Sequence, residues 1–166
     1  MNVYWSAWRD GELCYTLAAT EKGLCYIDID HNYEELQAWH SKYAKESELI
    51  ENPSYMSGYI EQFKQYWDKQ RTVFDLPLDM RGTDFQKRVW QALVEIPFGK
   101  TVSYRDIAET IGNRKAVRAV GGAIGKNPVL IVVPCHRVIG SSGKLTGFSA
   151  GLDLKEKLLD HEQINY

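Results

Sequence analysis

The sequence predicts an α+β fold in two domains, with a strand-rich acidic half followed by a helical basic half. Apolar residues alternate over the first 30 positions, and later apolar residues recur at helical spacing. The charge changes sign near the middle, because residues 1–80 carry seven Lys/Arg against fourteen Asp/Glu and residues 81–166 carry thirteen against eight. We therefore predict one domain at residues 1–78 and a second at residues 79–166, joined within the aperiodic segment 71–85.

An antiparallel meander is predicted for the first part of the chain. Alternation marks strands at residues 3–7 and 13–17, and the Asp10-Gly11 pair between them is a strong hairpin signal. A further strand follows Gly23. Aromatic and apolar residues at helical spacing then predict two helices, at residues 33–43 and 56–67. We expect these aromatic side chains in the core rather than around a ligand.

The second half opens with a capping box, in which Thr83 precedes Gln86 by three residues, and the helix ends before Pro97. Ser103 is expected to cap a second helix that ends at Gly112. A third helix is predicted at residues 113–126. Two helices joined by a short glycine-containing turn are typical of the helix-turn-helix motif, although many helical hairpins share this pattern.

The third helix has an apolar face and an unusual opposite face. Val117, Val120 and Ile124 recur on one side and predict packing. The opposite strip is basic or nearly without side chains, and it comprises Lys115, Arg118, Ala119, Gly122, Gly125 and Lys126. A glycine inside a helix costs about 1 kcal/mol relative to alanine, so the glycines indicate either close approach of a phosphate backbone or tight helix packing. Arg118 in the middle of the strip favours DNA.

A lone cysteine follows a short apolar run. Residues 129–133 predict a buried strand that Pro134 ends, and Cys135 comes next, beside His136 and Arg137. A base and a fixed positive charge favour a thiolate, whereas an isolated buried cysteine is commonly inert. In an extended segment neighbouring side chains point to opposite faces, so Cys135 and His136 interact only through a turn or a water. The spacing of the three cysteines fits neither a disulfide framework nor a zinc site.

Three segments of the second half closely resemble the O6-alkylguanine-DNA alkyltransferase family. They are RAVGGAIGKNP at 118–128, PCHRVIG at 134–140 and LTGFSAGLDLKEKLLDHE at 145–162. The resemblance extends from residue 81 onward, while the first half matches loosely in length and layout. It implies a ribonuclease-H-like structural domain with a mixed or antiparallel sheet, then a winged-helix-like domain that binds DNA and holds the alkyl acceptor.

The resemblance implies direct reversal of DNA damage. Cys135 matches the acceptor that takes the alkyl group from O6-alkylguanine, and less efficiently from O4-alkylthymine, irreversibly and once per molecule. His136 matches the histidine that removes the thiol proton through a water, and Glu162 matches the carboxylate that orients this histidine. Tyr104 matches the tyrosine whose hydroxyl donates to the guanine ring.

The resemblance also implies that the damaged nucleotide is rotated out of the duplex. Arg118 matches the arginine that fills the vacated space, from a helix laid in the minor groove. Asn127 matches the residue that ties this helix to the cysteine segment. The other positions expected at the DNA or the guanine are Lys115, Ala119, Gly122, Val138, Phe148 and Ser149. Phe148 stands where many relatives have tyrosine, which leaves the alkyl-size preference open.

No cofactor is expected, because the alkyl group comes from the DNA itself. Some relatives hold zinc in the N-terminal domain, but the corresponding positions here are Thr20 and Cys25, so we predict no metal. The expected partner is double-stranded DNA, bound by a monomer, with clustering along DNA left open. The sequence has no recognisable targeting peptide and no apolar run of about 18 residues. We therefore expect a cytoplasmic protein that associates with the nucleoid when it acts on DNA.

Two other functions stay open. A non-catalytic protein that binds lesions or regulates transcription would share the helix-turn-helix motif, and a cysteine hydrolase would share the nucleophile. The first would leave the alkyl group on the DNA. The second would turn over repeatedly rather than once.

Overall fold

The computed structural model describes residues 1–30, 33–143, 145, 147–148 and 150–164. The chain divides into two compact units, Met1–Arg81 and Gly82–Tyr166. The predicted α+β class, with a mixed sheet in the N-terminal unit and a mainly helical C-terminal unit, is confirmed. The division follows Arg81, whereas the predicted boundary follows residue 78. The roles assigned to the two domains stay predictions.

A four-stranded sheet in the order β3-β2-β1-β4 organises the N-terminal unit. Its strands are β1 (Asn2–Asp10), β2 (Leu13–Thr20), β3 (Gly23–Ile29) and β4 (Glu48–Glu51). The predicted meander is confirmed, because β2 pairs antiparallel with both β1 and β3. The sequence did not predict β4, which runs parallel to β1 and makes the sheet mixed. Four residues with glutamate at each end carry too little alternation to be recognised.

Helices α1 (Tyr33–Tyr43) and α2 (Pro53–Trp67) cover opposite faces of this sheet. Val3 belongs to the same buried cluster as Leu36 of α1. The ring of the next residue, Tyr4, lies 4.2 Å from that of Tyr55 on α2. Successive strand residues point to opposite faces, so the two helices lie on different sides. Because both faces are covered, six consecutive residues of β2 are buried.

Residues 77–79 of the predicted linker cover the outer edge of β3. The Leu24 amide donates to the Pro77 carbonyl at 2.9 Å, and the Asp79 amide donates to the Leu24 carbonyl at 2.8 Å. The Asp79 carboxylate forms an ion pair with Arg81 at 2.8 Å. Residues 77–79 therefore form an edge cover, a segment hydrogen-bonded along the outer edge of β3. It satisfies backbone groups that an edge strand otherwise exposes.

The described part of the C-terminal unit contains four α-helices and a short parallel strand pair. The helices are α3 (Asp84–Val94), α4 (Tyr104–Thr110), α5 (Val117–Gly125) and α6 (Leu152–His161), and the strands are β5 (Val102–Ser103) and β6 (Val138–Ile139). The predicted capping box at Thr83 is confirmed, and Ser103 caps α4 in the same way.

The predicted third helix differs at its start, since a 3-10 turn at Arg114–Ala116 precedes α5. Helix α5 packs against α3, where the Trp90 indole N–H donates to the Ala123 carbonyl at 2.9 Å. The winged-helix detail stays a prediction. Among the described residues, none of the helices has both the length and the apolar character that crossing a bilayer requires.

Gly23→Ala is expected to lower the free energy of unfolding by about 2–4 kcal/mol. Gly23 has a φ of +143°, and an added Cβ would lie 2.4 Å from the Pro77 backbone. Gly11→Ala is the control, because Gly11 also has a positive φ but has no atom within 4 Å of the added Cβ. Urea denaturation measures both, and equal losses would contradict a specific contact between Gly23 and the edge cover.

Candidate active site

Cys135 begins a buried 3-10 turn, Cys135–Arg137, and exposes 2% of its surface. The predicted strand at residues 129–133 is wrong. The chain turns there instead, with Ile131 at a φ of +72° and the Val132 amide donating to the Leu130 carbonyl at 2.9 Å. The apolar β-branched run mimics a strand, but its backbone groups bond locally and to Asn127 rather than to a long neighbouring strand.

Asn127 joins the end of α5 to the cysteine turn. Its side-chain Nδ2 donates to the Val133 carbonyl at 2.8 Å, and the Val129 amide donates to its Oδ1 at 2.9 Å. Both bonds are buried, so breaking them would leave polar groups without water. The Asn127 side chain also bonds the thiol of Cys135 and partly opposes the effect of burial on its pKa.

His136 and Glu162 form a buried pair beside the cysteine. The distance from His136 Nε2 to Glu162 Oε2 is 2.6 Å, and neither side chain is exposed. An ionised carboxylate only accepts hydrogen bonds, so Nε2 carries the hydrogen and Nδ1 presents a lone pair. Nδ1 has no hydrogen-bond partner among the described residues. The pair is therefore arranged to accept a proton at Nδ1, and burial lowers the pKa of His136 despite the carboxylate.

The Arg137 side chain pairs with Glu162 rather than with the thiol. The fixed positive charge predicted near the thiol is paired with a carboxylate, because Arg137 Nε donates to Glu162 Oε1 at 2.7 Å. Burial raises the pKa of the Cys135 thiol to about 11, which favours the protonated thiol over the thiolate expected from the sequence. A nucleophilic role of Cys135 therefore requires a base that takes this proton during the reaction.

Lys155 is a buried residue that the sequence analysis did not identify. Its Nζ donates to the Val138 carbonyl at 2.6 Å, and its charge opposes the raised pKa of Cys135. Burial lowers the pKa of Lys155. The sequence does hold a sign of its burial, since Lys155 lies four residues before Leu159 on the apolar side of α6. A lysine at such a position is either buried or extends to solvent, and spacing does not decide between them.

The strip on α5 is exposed along its whole length. Arg118, Ala119, Gly122 and Gly125 are exposed, as is Lys115 in the preceding turn. A Cβ added at Gly122 or Gly125 would meet no atom within 4 Å. Contacts with other described residues therefore do not account for these two glycines, and close approach of DNA to them stays a prediction.

The remaining predicted residues lie in two groups. Tyr104 is half-buried at the start of α4, and its ring lies 3.9 Å from a Cβ added at Gly121 on α5. Val138 is buried in β6, and the half-buried Phe148 ring lies 6.0 Å from Lys155 Nζ. Ser149 lies outside the described residues.

The other two cysteines belong to the N-terminal unit. Cys25 is buried in the core cluster, and Cys14 on β2 is partly exposed. Within the ranges that the structure describes, no three His, Cys, Asp or Glu residues are grouped as for a metal ion. The absence of a metal stays a prediction.

Comparison with known proteins identifies the family. Residues 84–164 match the 6-O-methylguanine DNA methyltransferase DNA binding domain, and residues 7–80 match the ribonuclease-like domain of the same proteins. The chain is 45% identical over 98% of its length to the inducible methylated-DNA–protein-cysteine methyltransferase of Bacillus subtilis, of which it covers 91%. The chain belongs to this methyltransferase family. A member from Mycolicibacterium paratuberculosis is 57% identical over 68% of each chain.

Solved structures of family members agree with the fold. The O6-methylguanine methyltransferase of Mycobacterium tuberculosis superposes with a TM-score of 0.84 at 41% identity, covering 97% of this chain and 93% of that one. A complex of the mycobacterial protein with DNA gives a TM-score of 0.81 at 40% identity, covering 98% and 93%. These members share both units of the chain.

Lys155→Met is expected to raise the pKa of Cys135 further above about 11, because the substitution removes a buried positive charge. Titration of the cysteine Cβ resonance by NMR measures the shift. Lys157→Met is the control, since Lys157 is an exposed lysine on the same helix. Identical titrations of the two variants would contradict an electrostatic effect of Lys155 on the thiol.

Proposed function

We propose that the protein repairs DNA by transferring the alkyl group of O6-alkylguanine to Sγ of Cys135. The family activity is that of a methylated-DNA–protein-cysteine S-methyltransferase, EC 2.1.1.63, a direct-reversal DNA repair activity. One observation supports Cys135 as the acceptor. Of the three cysteines, it is the one whose neighbour in the turn, His136, is paired with a buried carboxylate.

The reaction is a displacement in which one bond replaces another. The thiol proton passes to Nδ1 of His136, through a water as the family resemblance implies. Sulfur then forms a bond to the alkyl carbon as the bond from that carbon to O6 breaks, and the guanine keeps the electron pair. The imidazolium on His136 is stabilised by Glu162, which orients the ring through Nε2.

The leaving guanine needs a proton or a hydrogen bond where its charge develops. Tyr104 is proposed to donate to the ring, and backbone groups near Val138 and Ser149 to read its edges. Phe148 is proposed to border the alkyl group. The product is a thioether, which water does not readily cleave, so each molecule reacts once and no cofactor takes part.

Double-stranded DNA is the partner of this chemistry, and its approach is proposed along α5. A helix whose exposed face carries Gly122, Gly125 and Ala119 brings its backbone close to the walls of a minor groove. Lys115, exposed in the preceding turn, is proposed to contact a phosphate. O6 of guanine is hidden in the base stack, so we infer that the nucleotide is flipped and that Arg118 fills the space. O4-alkylthymine is proposed as a minor substrate.

One chain carries one acceptor cysteine and one DNA-facing strip, so a monomer is the proposed working state. We infer a cytoplasmic location, at the nucleoid during repair, because the proposed substrate is DNA. Clustering along DNA stays a prediction.

Incubation with a duplex that carries one O6-methylguanine is expected to add one methylene to the mass of each chain. Cys135→Ser is expected to abolish the gain, and Cys14→Ser is the matched control that keeps it. Intact-protein mass spectrometry measures the result. An unchanged wild-type mass with retained binding would favour a lesion-binding protein, and product exceeding one equivalent would favour a hydrolase.

Arg118→Ala is expected to slow transfer from a duplex by about 10- to 100-fold, since unstacking a base costs a few kcal/mol. Transfer from a free alkylated guanine base is expected to change little, because a free base leaves no vacated space in a duplex for Arg118 to fill. Single-turnover rates with both substrates test this, with Arg114→Ala as a control that removes the same charge from the preceding turn. Equal losses on both substrates would remove Arg118 from the proposed role.

A further inference from the structure

Arg137 forms a two-point contact with Glu162 in the interior of the C-terminal unit. Its Nε donates to Oε1 at 2.7 Å and its Nη2 donates to Oε2 at 3.1 Å. The third guanidinium nitrogen, Nη1, donates to the Ile96 carbonyl at 2.7 Å. Arg137 exposes 6% of its surface and Glu162 2%. The guanidinium is therefore held by one carboxylate and one carbonyl, and it has little contact with water.

The Glu162 carboxylate accepts more than one bond at each oxygen. Besides Arg137, it accepts from His136 Nε2 at 2.6 Å and from the Gly99 amide at 3.3 Å. Burial alone would raise the pKa of Glu162, but the hydrogen bonds from His136 and Arg137 outweigh burial, and the pKa lies well below its ordinary value. A carboxylate with its lone pairs engaged in this way is a weak base.

The identity of the proton acceptor depends on this balance. A carboxylate that bonded His136 alone could take the Nε2 proton when the thiol proton reaches Nδ1. A carboxylate that also pairs with a guanidinium is not expected to take this proton. Its protonation would leave a buried arginine charge without its counter-ion. The imidazole would then keep both protons until the leaving guanine receives one.

We propose that Arg137 is a positioning residue that keeps Glu162 as a fixed anion, so that the proton released by the thiol stops on His136. This inference rests on the proposed transfer to Cys135. The thiol S–H bond breaks and the proton remains on Nδ1 of His136. The electron pair on sulfur forms the bond to the alkyl carbon as the bond from that carbon to O6 breaks, and the guanine leaves with that electron pair. Arg137 acts on this step through Glu162 and touches neither the sulfur nor the guanine.

The direction of the pH effect follows from the charged groups that face His136, which are Glu162, Arg137 and Lys155. Arg137 and Lys155 lower the pKa of His136, whereas Glu162 raises it. Transfer needs His136 neutral, so the rate falls as pH drops through that pKa. Removing the Arg137 charge is therefore expected to move this acid limb to higher pH. Removing the Glu162 charge is expected to move it to lower pH.

The test is the pH dependence of single-turnover transfer from saturating duplex with O6-methylguanine. Arg137→Met is expected to shift the acid limb up by about one pH unit, with Arg137→Lys shifted less because it keeps the charge. Glu162→Gln is expected to shift the limb down and to lower the plateau rate. Arg81→Met is the control, since Arg81 also pairs with a carboxylate, Asp79, but in the N-terminal unit.

A purely structural arginine would lower the amount of active protein without moving the limb. Coincident limbs for wild type and both Arg137 variants would therefore overturn the inference while leaving the proposed function intact. A wild-type protein that gains no alkyl mass would instead overturn the proposed function.

A measurement on the wild type covers the case in which the variants do not fold. NMR of the Glu162 carboxyl carbon is expected to show no titration near the ordinary glutamate pKa of about 4.3. The His136 nitrogens are expected to show hydrogen on Nε2 alone in the neutral ring. Titration of Glu162 as an ordinary carboxyl would overturn the inference.

Discussion

A single buried carboxylate, that of Glu162, joins three parts of the C-terminal unit. It lies at the end of α6, accepts from both polar residues of the cysteine turn, and accepts from the Gly99 amide after α3. Charges buried in this way stabilise a fold only when each is fully paired. The geometry of the cysteine turn and the packing of α6 therefore depend on the same group.

Cys135 and the strip on α5 are separate but connected. The strip on α5 is exposed and basic, whereas the cysteine turn is buried. Asn127 spans the ten-residue step between them by bonding the backbone at Val129 and Val133. These bonds tie the backbone that precedes Cys135 to the end of α5.

Helix starts and tight turns could be predicted from the sequence where adjacent residues determine them. The capping boxes at Thr83 and Ser103 and the hairpin at Asp10-Gly11 each need only a few adjacent residues. β4 and the turn at residues 129–133 could not be predicted, because partners distant in sequence determine them. The family motifs indicated His136 and Glu162 as a pair, but no local pattern shows that Arg137 faces a carboxylate or that Lys155 is buried. Those orientations follow from packing.

The burial of Cys135 has a consequence for the proposed single transfer to its sulfur. A thiol with a raised pKa and 2% exposure is a poor target for peroxide and for exchange with cellular disulfides. An exposed thiolate would react faster with these oxidants, and under the proposed function each such event would remove one alkyl acceptor. Under the proposed function, burial thus protects the acceptor sulfur until the alkylated base reaches it.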